Sequence, residues 1–279
     1  MTLPIYAYAG LGILALSEGA MFAHIEPFWS WHTPIAWTGY ILLADGIIFS
    51  KRQSSWLTTN RREFGFLAAL SIPLWLVFEG YNLLIRNWHY VGLPENLVAR
   101  YAGYAWSFAT IWPGIFETAE LVGLLRGGSR SPGRMVIVSN SILITLMAAG
   151  AAMLIWPFIQ PSPYLAAPVW LGFILLLDPL NYRLGVESLI GDFSGAGIGA
   201  RRLVNLVLAG FVCGVLWEFW NYWSHTKWIY TVPFMSRVKI FEMPLPGYFG
   251  FPAFALECFT MYVFVRRFAW RGKARPIGL

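Results

Sequence analysis

The sequence predicts an all-α polytopic membrane protein with about eight transmembrane helices, arranged as two tandem four-helix repeats in parallel orientation. Three observations support this fold class: an apolar composition, eight long apolar runs, and motifs that occur twice. Of the 279 residues, 57% are hydrophobic and only 12% are charged, which is typical of neither an ordinary soluble domain nor a disordered chain. Runs of about 20 apolar residues are long enough to cross a bilayer.

The apolar runs predict eight spans, separated by polar or glycine-rich stretches. We expect them at about 5–23, 34–50, 64–86, 101–125, 135–157, 166–182, 203–223 and 247–268. The first run lacks a preceding basic segment and is long enough for a full span, so we expect no cleavable signal peptide. The segment 241–248 contains two prolines, which indicates a capping or re-entrant loop and not a helix.

The basic residues predict how the chain crosses the membrane. Fifteen of the 20 Lys and Arg residues fall in alternate loops and the C-terminal tail, and five fall in the opposite loops. Because basic residues accumulate on the cytoplasmic side, we expect an integral protein of a bacterial inner membrane with both termini in the cytoplasm. The net charge of +6 then reflects topology, and we expect no nucleic-acid partner.

Two motifs indicate an internal duplication. Segment 37–45 matches 170–178, and segment 79–82 matches 218–221. We therefore predict a first membrane repeat at 1–130 and a second at 131–279, joined by a basic linker at 126–134. Since each repeat has an even number of spans, both should cross in the same direction, related by a pseudo-two-fold axis along the membrane normal.

Buried acidic residues are the strongest functional signal. Eight acids fall within predicted spans: Glu18, Asp45, Glu79, Glu117, Glu120, Asp178, Glu218 and Glu257. A charged side chain at mid-membrane costs about 2.5–3.5 kcal/mol or more, so these acids should face the bundle interior. Either they perform chemistry, or they bond to neighbouring helices as structural contacts.

The two Glu-x-x-Asn motifs are the best candidates for catalysis. At this spacing the acid and the amide share a helical face, so we expect Asn221 to orient Glu218 and Asn82 to orient Glu79. We expect secondary catalytic roles for a further set of acids, namely Asp178, Asp45 and Glu18.

Aromatic residues cluster at the predicted non-cytoplasmic end. A Trp-x-Tyr sequence follows each Glu-x-x-Asn motif. These rings either anchor the protein at the membrane interface or line a pocket whose ring faces stabilise a carbocation. The candidate substrate-binding residues are Trp217, Trp220, Trp228, Tyr230, Trp88, Tyr90, Tyr81 and Glu257.

Histidine and cysteine offer weaker signals. All four histidines, including His32, fall at the non-cytoplasmic end, and a metal or haem bound by His24, His89 and His225 is one alternative. No short-spaced ligand pair supports it, so we predict no bound metal or cofactor. Two cysteines in spans, Cys213 and Cys258, are expected to be buried thiols without a disulfide.

These motifs resemble those of the membrane-embedded terpenoid cyclases and related carotenoid-modifying enzymes. The resembling residues are Trp217, Glu218, Asn221, Trp228 and Tyr230, with a second copy at Glu79, Asn82, Trp88 and Tyr90. The resemblance implies that acids within the spans protonate an isoprenoid, with Glu218 and Glu79 as proton donors or cation stabilisers. The Pro-x-Glu-Glu pattern of lycopene cyclases is absent, since the order here is Glu242-Met-Pro244, so the specific reaction stays open.

The sequence thus favours an intramembrane enzyme that acts on an isoprenoid or other lipid by carboxylic-acid-initiated cyclisation, hydration or isomerisation. One alternative is a non-enzymatic membrane protein, either an accessory subunit of a larger complex or a small-molecule carrier. Another is the metal- or haem-binding protein. An oligomer is compatible with all three.

Overall fold

The computed structural model describes residues 2–127, 138–194, 199–233 and 238–279. The α-helices are α1 (Ile5–Phe22), α2 (His32–Arg52), α3 (Trp56–Thr59), α4 (Arg61–Ile85), α5 (Leu97–Ala109), α6 (Ile111–Arg126), α7 (Asn140–Ile159), α8 (Ala166–Arg183), α9 (Leu189–Phe193), α10 (Arg201–Trp223) and α11 (Gly250–Ala269). The strands are β1 (Trp88–Val91), β2 (Lys227–Tyr230), β3 (Lys239–Ile240) and β4 (Met243–Pro244). Most of the predicted linker at 126–134 lies outside the described residues.

Eight helical segments of the described chain are long and apolar enough to cross a membrane. They correspond to the eight predicted spans, which confirms an all-α integral membrane protein. The fourth span differs in one respect, because it consists of two helices, α5 and α6. Pro113 has no amide hydrogen, and its ring collides with the carbonyl of the residue four positions earlier, Ala109. The helix is therefore interrupted at Thr110.

The two most extensive contacts between helices depend on glycine. The helices α1 and α2 pack against each other, as do α7 and α8. A Cβ atom built on Gly10 would lie 2.6 Å from the carbonyl oxygen of Gly39, and one built on Gly150 would lie 2.7 Å from that of Gly172. Small residues let two helix backbones approach this closely in a membrane.

A two-stranded antiparallel ribbon joins the two halves of the chain at one end of the bundle, which we call the ribbon end. It pairs β1 with β2, so that Trp88 lies opposite Tyr230 and Tyr90 lies opposite Trp228. Alternate residues of a strand share a face, so all four aromatic side chains lie on the same side of the ribbon. The sequence did not predict this pairing.

The segment after the ribbon is more ordered than predicted. The strands β3 and β4 form a second antiparallel pair, and a short 3-10 helix follows at Leu245–Phe249. The expectation of a helix-free loop was therefore wrong in part. Prolines at the start of a short helix are tolerated because the first amide hydrogens of a helix have no partner within it.

Short helices α3 and α9 mark the opposite end, which we call the α3 end, and each is capped by an aspartate. Asp45 in α2 accepts a hydrogen bond from the backbone N–H of Leu57 at 2.9 Å. Asp178 in α8 accepts from the backbone N–H of Leu189 at 2.7 Å and of Ile190 at 2.9 Å. A carboxylate at this position satisfies amide groups that the first turn leaves unpaired.

Buried ion pairs close the α3 end. The guanidinium of Arg275, in the segment after α11, binds both carboxylate oxygens of Glu120 at 2.8 and 2.7 Å, and its backbone N–H binds Glu63 at 2.7 Å. Arg202 binds both oxygens of Asp192 at 2.7 Å. Since an isolated buried charge is costly, the contacts of Arg275 fix this segment against α4 and α6, and the Arg202–Asp192 pair holds α9 against α10.

We predict that Gly10→Ala lowers the thermal stability of the detergent-solubilised protein, although alanine favours helix formation. The added methyl group would overlap the backbone of α2, and such overpacking costs about 1–3 kcal/mol. Gly12→Ala is the matched control, because a Cβ atom at Gly12 has no neighbour within 4 Å. Equal melting temperatures for the two variants would contradict the predicted close contact.

Candidate functional site

A cavity of about 130 Å³ lies at the ribbon end. Fourteen of its 21 lining residues are Trp, Tyr or Phe, so its wall consists mainly of aromatic rings. Lys227 is the one charged side chain among the described residues that line it, and its ammonium group is paired with Glu242 at 2.8 Å. The cavity is therefore suited to an apolar ligand or to a cation that interacts with ring faces.

Both halves of the chain build the cavity wall. Trp37 from α2 and Trp75 from α4 lie in the first half, and Trp217 from α10 and Phe254 from α11 lie in the second. The ribbon adds the Trp-x-Tyr side chains of both strands. Because neither half encloses this space alone, the site depends on their association.

The carboxylate of Glu79 lies behind this wall and is held by three donors. Its Oε1 atom accepts hydrogen bonds from Trp75 Nε1 at 2.9 Å, Trp88 Nε1 at 3.2 Å and the Tyr90 hydroxyl at 2.6 Å. All three donors line the cavity, whereas Glu79 does not. This oxygen therefore acts as an acceptor, and its negative charge lies one side chain away from the cavity.

Glu218 occupies the corresponding place in the second half but has fewer partners. Its Oε1 atom accepts from the Tyr230 hydroxyl at 2.9 Å, and that hydroxyl accepts from Trp228 Nε1 at 2.8 Å. Glu218 is fully buried, and its Oε2 atom has no hydrogen-bond partner among the described residues. The difference has a local cause, because Gly214 stands four residues before Glu218 where Trp75 stands before Glu79.

The asparagines of the two motifs hold the ribbon and do not contact the acids. The amide of Asn82 donates to the carbonyl of Trp88 at 2.9 Å and accepts from the backbone N–H of Asn87 at 2.8 Å. Asn221 donates to the carbonyl of Trp228 at 2.8 Å and accepts from its N–H at 2.9 Å. The expectation that they orient the carboxyl groups directly was therefore wrong. They position the strands whose side chains bind those groups.

The two ribbon tyrosines are neutral hydrogen-bond donors. Burial, and next the adjacent carboxylate of Glu79, raises the pKa of Tyr90 well above its usual value. The same two causes, with Glu218 as the carboxylate, raise the pKa of Tyr230. Because burial disfavours the charged phenolate, both hydroxyls keep their protons at physiological pH.

Glu18 lies at the ribbon end but outside the cavity lining. It accepts a hydrogen bond from Trp220 Nε1 at 2.9 Å, and its other oxygen lies 3.7 Å from Nε2 of the buried His32. Ser17 bonds the other nitrogen of that ring at 2.9 Å. Glu18 therefore links α1 to the start of α2 and to α10, and Trp220 faces Glu18 and not the cavity.

The remaining predicted site residues lie away from the cavity lining. The Tyr81 hydroxyl donates to the carbonyl of Leu154 at 3.0 Å. Glu257 is fully buried in α11, with no partner for either carboxylate oxygen among the described residues. Asp45 and Asp178 cap helices at the α3 end, as described above. The structure thus brings together two acids, the ribbon aromatics and Trp217, but not these four residues.

Histidines and cysteines form no recognisable metal site. His24 and His225 both stack against Trp29, at ring-centroid distances of 4.9 and 4.0 Å. In the described ranges, no three His, Cys, Asp or Glu residues form a group that could hold a metal ion. Cys213 and Cys258 are buried free thiols, as predicted.

Sequence reasoning did not assign several cavity residues. Trp37 and Trp170 begin the duplicated segments 37–45 and 170–178, and both line the cavity. Trp75 precedes Glu79 by four residues, which places the two side chains on one helical face. A search for aromatic residues at this spacing from the membrane acids could have found Trp75.

Comparison of the chain with protein-family models, with curated proteins and with solved structures finds no match.

We predict that Asn221→Ala destabilises the ribbon. The change removes the partner of both the N–H and the C=O of Trp228, a half-buried residue, and a fully buried unsatisfied group costs about 1–3 kcal/mol. The melting temperature in detergent should fall, and tryptophan emission should shift towards that of solvent-exposed indole. Asn140→Ala is the control, because the Asn140 side chain makes an exposed contact with Arg183. Similar effects for both variants would contradict this role of Asn221.

Proposed function

We propose that the protein is an intramembrane enzyme that acts on an isoprenoid or other unsaturated lipid by carboxylic-acid-initiated cyclisation, hydration or isomerisation. The observation that favours it most is the buried Glu218 carboxyl, whose Oε1 atom binds a cavity-lining tyrosine while its Oε2 atom has no partner among the described residues. An acid that is not fully engaged by its surroundings, next to an aromatic cavity, suits proton transfer to an apolar substrate.

The size and wall of the cavity limit the substrate. Small-molecule sites typically enclose about 300–1,000 Å³, so a cavity of about 130 Å³ accommodates one end of a long chain. The rest of the lipid would lie in the bilayer. An isoprenoid has a carbon–carbon double bond near its end, and the resemblance to terpenoid and carotenoid enzymes favours this class.

The proton passes through Tyr230, because Tyr230 lines the cavity and Glu218 lies behind it. The reaction starts from protonated Glu218. Tyr230 turns its hydroxyl proton from Glu218 to the double bond and takes a proton from Glu218, which leaves a carbocation in the cavity and a carboxylate on Glu218. Ring faces stabilise a cation, and the carboxylate of Glu79 adds a negative charge behind Trp75, Trp88 and Tyr90. A neighbouring carbon then loses a proton, which returns to Glu218 through Tyr230. Isomerisation or cyclisation therefore needs no further reactant. Hydration adds one water molecule.

We also propose that the two halves are parallel repeats. Asp45 and Asp178 each cap a helix that begins eleven residues later, and each ribbon tyrosine binds the glutamate of its own half. A two-fold axis between the strands would map the Trp88–Tyr230 pair onto the Trp228–Tyr90 pair, and the ribbon contains both pairs. With both termini in the cytoplasm, the ribbon end and its cavity face the other side of the membrane.

We predict that Glu218→Gln abolishes lipid conversion while the protein still folds. General acid catalysis contributes about 10²–10⁴-fold, and glutamine keeps the size of the side chain but cannot supply the proton. The isoprenoids of membranes containing wild-type or variant protein would be compared by mass spectrometry. Tyr230→Phe should cause a loss of similar size, because it interrupts the proton route. Unchanged lipid profiles for Glu218→Gln would refute the proposal.

Glu79→Gln should have a different effect from Glu218→Gln. This variant removes negative charge behind the cavity and leaves the proton donor in place, so conversion should slow by a smaller factor. The measurement is the rate of product formation in the same membranes. A loss of conversion in Glu79→Gln as large as that in Glu218→Gln would contradict this difference in role.

Lipids that copurify with the protein in mild detergent give a further test that needs no assumed substrate. We expect an unsaturated isoprenoid, enriched relative to the bulk membrane and reduced in a Trp217→Ala variant, because Trp217 lines the cavity. The lipids would be extracted and identified by mass spectrometry. Enrichment of saturated phospholipid alone would oppose an isoprenoid substrate.

A further inference from the structure

A second pair of acids lies between α2 and α6, away from the cavity. Asp45 and Glu117 are both fully buried. They lie on α2 and α6, which pack against each other and are joined by the 2.7 Å hydrogen bond between Tyr40 and Thr118, and their carboxyl groups are close enough to interact electrostatically. Trp37, which lines the cavity, precedes Asp45 by eight residues, or about 12 Å along the axis of α2. The pair is therefore separate from the proposed catalytic site.

The two carboxyl groups have very different surroundings. Asp45 accepts hydrogen bonds from the Tyr6 hydroxyl at 2.7 Å, the Ser55 hydroxyl at 2.8 Å and the backbone N–H of Leu57 at 2.9 Å. Neither oxygen of Glu117 has a hydrogen-bond donor among the described residues. Asp45 is thus equipped with donors that suit a carboxylate, and Glu117 is not.

Neighbouring charges do not neutralise Glu117. Glu120, one turn later in α6, is held at both oxygens by Arg275, so that guanidinium is already paired. The titratable and charged groups that face the pair from the surrounding elements are Tyr6 in α1, Tyr40 in α2, Glu120 in α6, Cys213 in α10 and Arg275 after α11.

Two ionised carboxylates at this distance repel each other strongly in a buried setting. Two ionised carboxylates also cannot form a hydrogen bond with each other, because neither carries a hydrogen. One proton resolves both problems, since a protonated Glu117 donates to Asp45. A metal ion fits less well, because no third His, Cys, Asp or Glu of the described chain completes a group around the pair.

We propose that Asp45 and Glu117 form a proton-binding site, in which one proton is shared between the two carboxyl groups and Glu117 is the donor. The site lies towards the α3 end. A hydroxyl pair between Tyr40 and Thr118 at 2.7 Å connects α2 to α6 next to Glu117. In the second half, Asp178 is instead held by two backbone N–H groups and interacts favourably with the Arg202 guanidinium.

Infrared spectroscopy of the purified protein in detergent at neutral pH tests the proposal directly. The wild type should show the carbonyl absorption of a protonated carboxylic acid, and Glu117→Gln should lose the intensity of one such group. Glu257→Gln is the matched control, because Glu257 is equally buried and unpartnered but has no second acid as a neighbour. Asp45→Asn should shift the frequency of the Glu117 band, since the hydrogen-bond acceptor changes.

Thermal stability as a function of pH provides an independent measurement. A folded state that binds one more proton than the unfolded state loses stability as the pH rises. The melting temperature of the wild type should therefore fall as the pH rises, over the same pH range in which the carboxylic-acid infrared band loses intensity. Glu117→Gln should not show this component, because its amide donates to Asp45 at every pH.

The proposal fails if Glu117→Gln and the wild type have identical carboxylic-acid absorption at neutral pH. It also fails if sodium or potassium ions raise the melting temperature of the wild type but not of Glu117→Gln, since the pair would then bind a metal cation. If Glu117→Gln does not fold, the carboxylic-acid band is instead titrated with pH in the wild type, in Asp45→Asn and in Glu257→Gln. The proposal then fails if Asp45→Asn leaves the frequency of the Glu117 band unchanged. None of these outcomes depends on lipid conversion.

Discussion

The need to satisfy buried carboxyl groups in an environment without water constrains most of this structure. A bilayer offers no hydrogen bonds to an acid within a span, so a charged carboxylate there needs partners inside the protein. Asp45 and Asp178 bind the first amide groups of α3 and α9, and Glu79 and Glu218 bind side chains of the ribbon. The positions of the short elements at both ends of the bundle therefore depend on acids in the long helices.

The ribbon connects this constraint to the cavity. Each strand is tied by an asparagine to the end of the helix that precedes it, and each presents a Trp-x-Tyr pair on one face. Four rings that line the cavity donate their polar hydrogens to the acids behind it, namely those of Trp75, Trp88, Tyr90 and Tyr230. The cavity wall is thus mainly apolar on its inner surface and bonded to carboxyl groups on its outer side, which is an arrangement suited to positive charge.

The two halves use one scaffold with different local chemistry. Trp75 gives Glu79 a donor that Gly214, at the corresponding place in α10, cannot give Glu218, and Trp228 donates to Tyr230 where Trp88 donates to Glu79. Gly214 is required there, because a Cβ atom would lie 2.2 Å from the ring of Phe251. Packing of α10 against α11 therefore excludes one of the two donors that Glu218 lacks, and a similar difference distinguishes Asp45, with Glu117 beside it, from Asp178.

The sequence by itself determined the eight spans, the buried acids and the paired Glu-x-x-Asn and Trp-x-Tyr motifs, because length, hydropathy and helical spacing are local properties. Tertiary structure alone decided which acids share a site. Pairing of β1 with β2 joins residues 136 to 142 positions apart, and the proximity of Glu117 to Asp45 depends on how α2 packs against α6. Helical spacing alone did not show whether the asparagines bind the acids or the strands. They bind strand backbone, because an exposed strand edge has unpaired amide groups. The acids bind the rings that those strands present.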